Sequence, residues 1–113
     1  MLHGTKNKET AWQIAEGGFG KGKLRNEGGF GHGIYFTRSL DYSWLYSSDS
    51  PHEKYVVLAM VVPGNSFPIT EHPLQTKQST NKAGYYGAAC EAGYQSHYTC
   101  GLFIFAFIFI VKR

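Results

Sequence analysis

Covalent and metal staples have little to work with in this chain. Its two cysteines, Cys90 and Cys100, are too few for a disulfide framework or a cysteine-built zinc site, so no metal is expected and a reducing, intracellular compartment is the default. Charged residues make up 17 % of the chain, below the usual share of about 25 %. Net charge is only +3. Lys6, Lys8, Lys21, Lys23 and Arg25 cluster in the first quarter, which suits a phosphate-bearing ligand but is too weak a field to define a nucleic-acid site. No G-x-G-x-x-G occurs, which leaves a Rossmann reading without support. Met1 leads straight into His3 and Gly4, so no signal peptide is expected. The longest apolar stretch falls short of the roughly 20 residues that a spanning helix needs. No transmembrane segment is expected.

Aromatics and glycine are abundant. Eight tyrosines, eight phenylalanines and fourteen glycines stand among 113 residues, a length that supports one domain and one core. Residues 7–16 predict a short helix with Asn7 as cap and Gly17–Gly18 as stop, placing Ala11, Trp12 and Ala15 on one face. Residues 17–31, with seven glycines, predict a mobile loop. Ile34 to Thr37 predicts a strand, and Ser39 caps a second helix through Leu40, Trp44 and Leu45. Tyr55–Val62 is the clearest strand, β-branched and apolar, ended by Pro63–Gly64. Residues 63–96 predict mostly loop. The uncharged run from Gly101 to Val111 predicts a strand buried on both faces. Together these give an α+β domain over residues 1–113, with 101–113 as an apolar terminal strand.

Three local signals lie within the first 46 residues: Leu2-His3-Gly4-Thr5, then Phe30-Gly31-His32-Gly33-Ile34-Tyr35-Phe36-Thr37, then Ser43 followed by Tyr46. Each is weak singly. In this order, with a short helix ending in Gly-Gly-Phe between the first two, they resemble the catalytic domain of the poly(ADP-ribose) polymerase family. The resemblance covers roughly residues 1–100. It implies an ADP-ribosyltransferase fold, a mixed or antiparallel sheet with short flanking helices, and an activity that moves ADP-ribose from NAD⁺ to protein acceptors. It also implies roles. The Gly4 backbone and Ser43 hydroxyl bond the nicotinamide carboxamide, and Tyr35 and Tyr46 flank its ring. His3 and Thr5 hold the adenosine-side ribose, with Phe36 beside them in the cofactor site. His3 and Tyr35 are then the catalytic members present.

The chain departs from the family in three places. Gly20 stands where many members have an arginine for the adenosine end, so Lys21, Lys23 or Arg25 has to substitute. No Asp or Glu follows His97, whereas polymer-forming members place a glutamate on a late strand. Glu91 is the nearest acid. The core also reads as incomplete at both ends. Mono-ADP-ribosylation is therefore the most that is expected, and the alternatives are a silent NAD⁺- or ADP-ribose-binding module and a small membrane-attached protein.

Overall fold

The structure, a computed structural model, describes residues 1–19, 27–28, 30–69, 88–99 and 109–111. It is a small mixed α+β protein in which two short helices, α1 (Lys8–Gly17) and α2 (Leu40–Leu45), flank strands that pair two by two. Strand β1 (Leu2–Thr5) runs antiparallel to β5 (Tyr55–Leu58), with His3 opposite Val57 and Gly4 opposite Val56. The short β2 (Glu27–Gly28) and β3 (Gly31–His32) form a second antiparallel pair. Strand β4 (Ile34–Phe36) pairs with β8 (Phe109–Val111), Tyr35 lying opposite Ile110. Strands β6 (Ser66–Ile69) and β7 (Ser96–Thr99) run parallel. One bridge, Leu2 to Thr37, joins β1 to the end of β4, and β7 lies against β8.

Both helices begin as their sequences require. Asn7 accepts a hydrogen bond from Thr10 N–H at 2.8 Å, and Ser39 accepts one from Tyr42 N–H at 3.2 Å. Each cap satisfies a donor that the first turn leaves unpaired and is worth about 1 kcal/mol. Helix α1 stops at Gly18, whose φ of 75° a side chain would resist, while its N–H bonds Ile14 O at 2.8 Å. The face shared by Ala11, Trp12 and Ala15 is not the one that α1 buries. Trp12 is 59 % exposed, Ala15 is exposed as well, and the half-buried positions are Thr10, Ala11, Ile14 and Gly17. The Ile14 side chain, three and four residues from its neighbours on that face, sets the contact stripe instead of the indole.

Three other expectations change. The strand expected over Tyr55–Val62 ends at Leu58, because its ladder follows the residues of β1, with only Met1 and Ala59 bonding beyond it. Part of the expected 17–31 loop is paired backbone, Glu27–Gly28 with Gly31–His32; residues 20–26 and 29 lie outside the described residues. Within 63–96, β6 forms across Pro68. That proline lacks a donor but sits exposed on β6, which pairs on one side only among the described residues, a position that tolerates proline. Of the apolar run from Gly101, Phe109–Val111 is a strand, and the rest lies outside the described residues, as does any side-chain burial there.

Little apolar bulk is sequestered among the described residues. Phe30, Phe36 and Ile69 are the buried hydrophobic side chains, against nine buried polar ones, His3, Thr5, Thr37, Ser43, Ser47, Ser48, Ser96, His97 and Thr99. Order around β1 therefore relies on hydrogen bonds. The Ser47 hydroxyl accepts from Tyr55 N–H at 2.6 Å and faces Tyr55 O at 3.0 Å and Thr5 O at 3.4 Å. It pins the end of α2 to both strands of the β1–β5 pair. No short motif marks Ser47 in the sequence.

Candidate functional site

Residues that the sequence singles out come together where β1, β4 and α2 meet. Strand alternation sends His3 and Thr5 to the buried face of β1, at 8 % and 5 % exposure. Gly4 faces the other way, onto α2. A Cβ on Gly4 would lie 2.1 Å from Ser43 O and 3.2 Å from Ser47 N. Only glycine lets this helix sit so close to this strand.

The hydrogen-bonding directions of β1 follow from the same alternation. Leu2 exchanges two bonds with Thr37, N to O at 2.7 Å and O to N at 2.9 Å, so its peptide groups point toward β4. In an extended strand Gly4 points its own N–H and C=O to that same edge. Strand β4 pairs with β8 rather than continuing along β1. The Gly4 N–H and C=O thus have no hydrogen-bond partner among the described residues. A donor and an acceptor side by side, unpaired among the described residues, are complementary to a primary carboxamide.

His3 reaches β4 instead. Its Nδ1 lies 2.8 Å from Tyr35 O, and since a carbonyl only accepts, Nδ1 carries the proton and donates. Nε2 is then an acceptor in the neutral ring. Burial lowers the His3 pKa from its ordinary value, with the bond to Tyr35 opposing that shift in part. The imidazole packs edge-on to Phe19 at 5.1 Å and tilted to Phe36 at 5.7 Å, while Phe19 and Phe36 meet edge to face at 4.9 Å. Phe36 is 4 % exposed; it belongs to the core that supports His3. Phe19 carries the same support from the end of α1, which explains why a phenylalanine follows the two stop glycines.

The two tyrosines lie near one another without ring contact among the described residues. Tyr35 is half-buried and its hydroxyl donates to Gly31 O at 2.6 Å. Its pKa is pushed up to about 12, mainly by burial; a backbone interaction at Phe30 opposes this and the Tyr46 phenol adds to it. Tyr46 caps the C-terminus of α2 and is 55 % exposed. Its hydroxyl lies 3.0 Å from that of Tyr42, with the rings 5.1 Å apart. Tyr42 buttresses Tyr46 from one turn earlier on the helix. Ser43 is buried at 1 % exposure and donates its hydroxyl to Leu40 O at 2.7 Å. In this conformation the Ser43 hydroxyl serves its own helix.

One residue with a role here carries no motif. His97 on β7 is 1 % exposed, accepts from Glu91 N–H at Nε2 over 2.8 Å, and has Nδ1 3.1 Å from Phe30 O. It ties the 88–95 segment to the residues that lead into β4. Glu91, the nearest acid to the expected strand, contributes its backbone to this tie. Gly20, Lys21, Lys23 and Arg25 lie outside the described residues. Among the described residues no three His, Cys, Asp or Glu side chains gather where they could hold a metal ion, and no helix is long and apolar enough to cross a membrane. Compared with known proteins, the chain matches no family model, no curated protein and no solved structure.

Proposed function

We propose that this chain is an NAD⁺-dependent protein ADP-ribosyltransferase with an ADP-ribosyltransferase-like fold, limited to single transfers. The observation that supports the reading is the N–H and C=O of Gly4, unpaired among the described residues, on a strand that α2 and β4, the elements carrying Tyr46 and Tyr35, both contact. In this reading Gly4 N–H donates to the carboxamide oxygen of nicotinamide and Gly4 C=O accepts from its NH₂. Ser43 adds a lone pair, or a donor once its hydroxyl turns from Leu40. Tyr35 and Tyr46 stack on the pyridinium, each contact worth about 0.5–1.5 kcal/mol with a cation–π part. His3 Nε2 accepts from a hydroxyl of the adenosine-side ribose, and Thr5 lies on the same face.

The reaction breaks the bond between the ribose C1′ and the pyridinium nitrogen. The bonding pair leaves with neutral nicotinamide, and the cationic sugar is captured at C1′ by an acceptor side chain that gives up its proton. Losing the cationic charge of the ring weakens its hold between the tyrosines, which favours departure of nicotinamide. Removing a preorganised partner for transition-state charge costs about 2.7–4 kcal/mol in related electrostatic sites. No Asp or Glu stands among residues 98–113, and the transfer proposed for this chain is accordingly slow and single.

That same absence favours a second reading, a module that binds NAD⁺ or ADP-ribose without turning it over. Labelled NAD⁺ incubated with the purified chain, resolved on a denaturing gel, separates the two. Label in one discrete protein band supports transfer, and a ladder of long chains overturns the single-transfer limit. No label, with benzamide still binding, supports the silent module. No label and no benzamide binding sink both.

A further inference from the structure

We propose that the outer edge of β5 joins two copies of this chain into a closed dimer, by antiparallel pairing centred on Leu58. The ladder with β1 fixes which groups of β5 face outward. Met1 and Ala59 exchange two backbone bonds, so Ala59 and, two residues back, Val57 turn their peptide groups toward β1. Leu2 turns its own away, toward Thr37. Its partner Leu58 therefore points N–H and C=O away from β1, as does Val56 opposite Gly4. Among the described residues nothing bonds those outward groups.

The side chains along that edge are apolar and uncovered. Leu58, Met60 and Val62, every second residue, are 79 %, 97 % and 85 % exposed. Leu58 lies across from Leu2 and Val56 across from Gly4, which puts both on the face of the pair that α2 packs against. Tyr42 and Tyr46 share one flank of α2, and Tyr46 approaches Tyr35 of β4 on one side of β1. Leu40 and Trp44, 50 % and 46 % exposed, share the opposite flank, toward β5. These five side chains present on the order of 700 Å² of apolar surface, close to the roughly 800 Å² that each partner of a stable complex buries.

The edge matches itself. Tyr55–Val62 carries no charge, and the lysine and proline that guard sheet edges stand only at its ends, as Lys54 and Pro63. Paired antiparallel about Leu58, the stretch sets Leu58 against Leu58, Val56 against Met60 and Val57 against Ala59, apolar throughout, with Lys54 at the margin. A shift of the centre either way breaks that match. Centring on Val57 sets Lys54 against Met60, and centring on Ala59 sets Tyr55 against Pro63. One patch thus serves both partners, which makes the occupant a second copy and closes the assembly at two. Strand β4 and Tyr35, on the other side of β1, stay clear of the junction.

Sedimentation equilibrium and amide exchange on the full chain without ligand test this separately from the transferase reading. A monomer–dimer equilibrium is expected, with the Val56 and Leu58 amides more protected as the dimer fills. Leu58→Lys sets like charges across the axis and should weaken association at least roughly tenfold. Leu45→Lys, at a 70 % exposed position off this flank, should leave association unchanged. Leu58 is itself exposed, so the lysine variant should fold; if it does not, the wild-type amide protection decides. A chain that is monomeric up to about 1 mM overturns the proposal. So does association that runs on past the dimer, that Leu58→Lys leaves intact, that Leu45→Lys weakens as much, or that leaves the Val56 and Leu58 amides unprotected.

Discussion

The imidazole of His3 donates from Nδ1 to the backbone carbonyl of Tyr35 at 2.8 Å. A side chain of β1 thus holds the main chain of β4, and the side chains of both residues are shifted, the His3 imidazole down and the Tyr35 phenol up. Burial lowers the His3 pKa below 6.5, so around and below that pH the unfolded chain binds more protons than the folded one. The stability due to neutral His3 is complete above about pH 6.5 and is lost as acid crosses the depressed folded value. Tyr35 works in the opposite direction. Its pKa is raised from 10.0 to about 12, so its contribution is complete below pH 10 and lost as alkali crosses the raised value. Urea midpoints measured across pH should form a plateau falling on both sides. Tyr35→Phe should lower the plateau by about 1 kcal/mol, through the lost bond to Gly31 O, and flatten the alkaline limb. Some alkaline slope should remain, because the Tyr55 phenol, bonded to Glu53 Oε2, is raised as well. A His3→Asn variant that keeps the full acid limb would refute the role given to His3.

Gly4→Ala should be among the most damaging single substitutions. Its methyl would stand 2.1 Å from Ser43 O and 3.1 Å from the Ser43 carbonyl carbon, backbone atoms that no rotamer change can move. Either α2 lifts off β1 or β1 bends, and overpacking of this kind costs about 1–3 kcal/mol, more where backbone must shift. Against a net stability of about 5–15 kcal/mol for a typical domain, that is a large fraction. Chemical denaturation checks it. A midpoint within error of wild type would mean that α2 does not pack here.

The elements that could be read from sequence are those fixed by local chemistry. Asn7, Gly18 and Ser39 each act within three or four residues of themselves, and the helices start and stop where those residues dictate. Strand β6 was hidden by Pro68, because a strand's tolerance of proline depends on which edges are paired, and pairing is a property of the fold. The exposure of Trp12 was equally out of reach, since periodicity gives the relative phase of a helix and not the face that meets its neighbour. For the candidate site, the resemblance carried by the three motifs singled out Gly4, Tyr35 and Tyr46. It did not reveal Phe19 as the support of His3, nor Ser47 and His97 as ties, because buried hydroxyls and imidazoles bonded to distant backbone leave no pattern along the chain.

Tyr46 provides the sharpest test of ring binding, because its side chain can be removed without hollowing out a core. It is 55 % exposed and rests on Tyr42, one turn away, with the hydroxyls 3.0 Å apart. Truncation to alanine should therefore change stability by no more than about 0.5–1 kcal/mol, unlike a buried aromatic, which costs about 3–5 kcal/mol. If the ring of a nicotinamide mimic lies between Tyr35 and Tyr46, Tyr46→Ala forfeits one stacking contact of about 0.5–1.5 kcal/mol, equivalent to a roughly 2- to 13-fold weaker affinity. Tyr46→Phe keeps the ring and loses only the hydroxyl pair with Tyr42, so it should bind almost as wild type. Titration of benzamide against the three proteins, each first confirmed folded by its denaturation midpoint, gives the answer. Equal affinity for alanine and tyrosine at position 46 would remove the second wall of the proposed site and leave Tyr35 and the carboxamide edge of Gly4 to carry the binding.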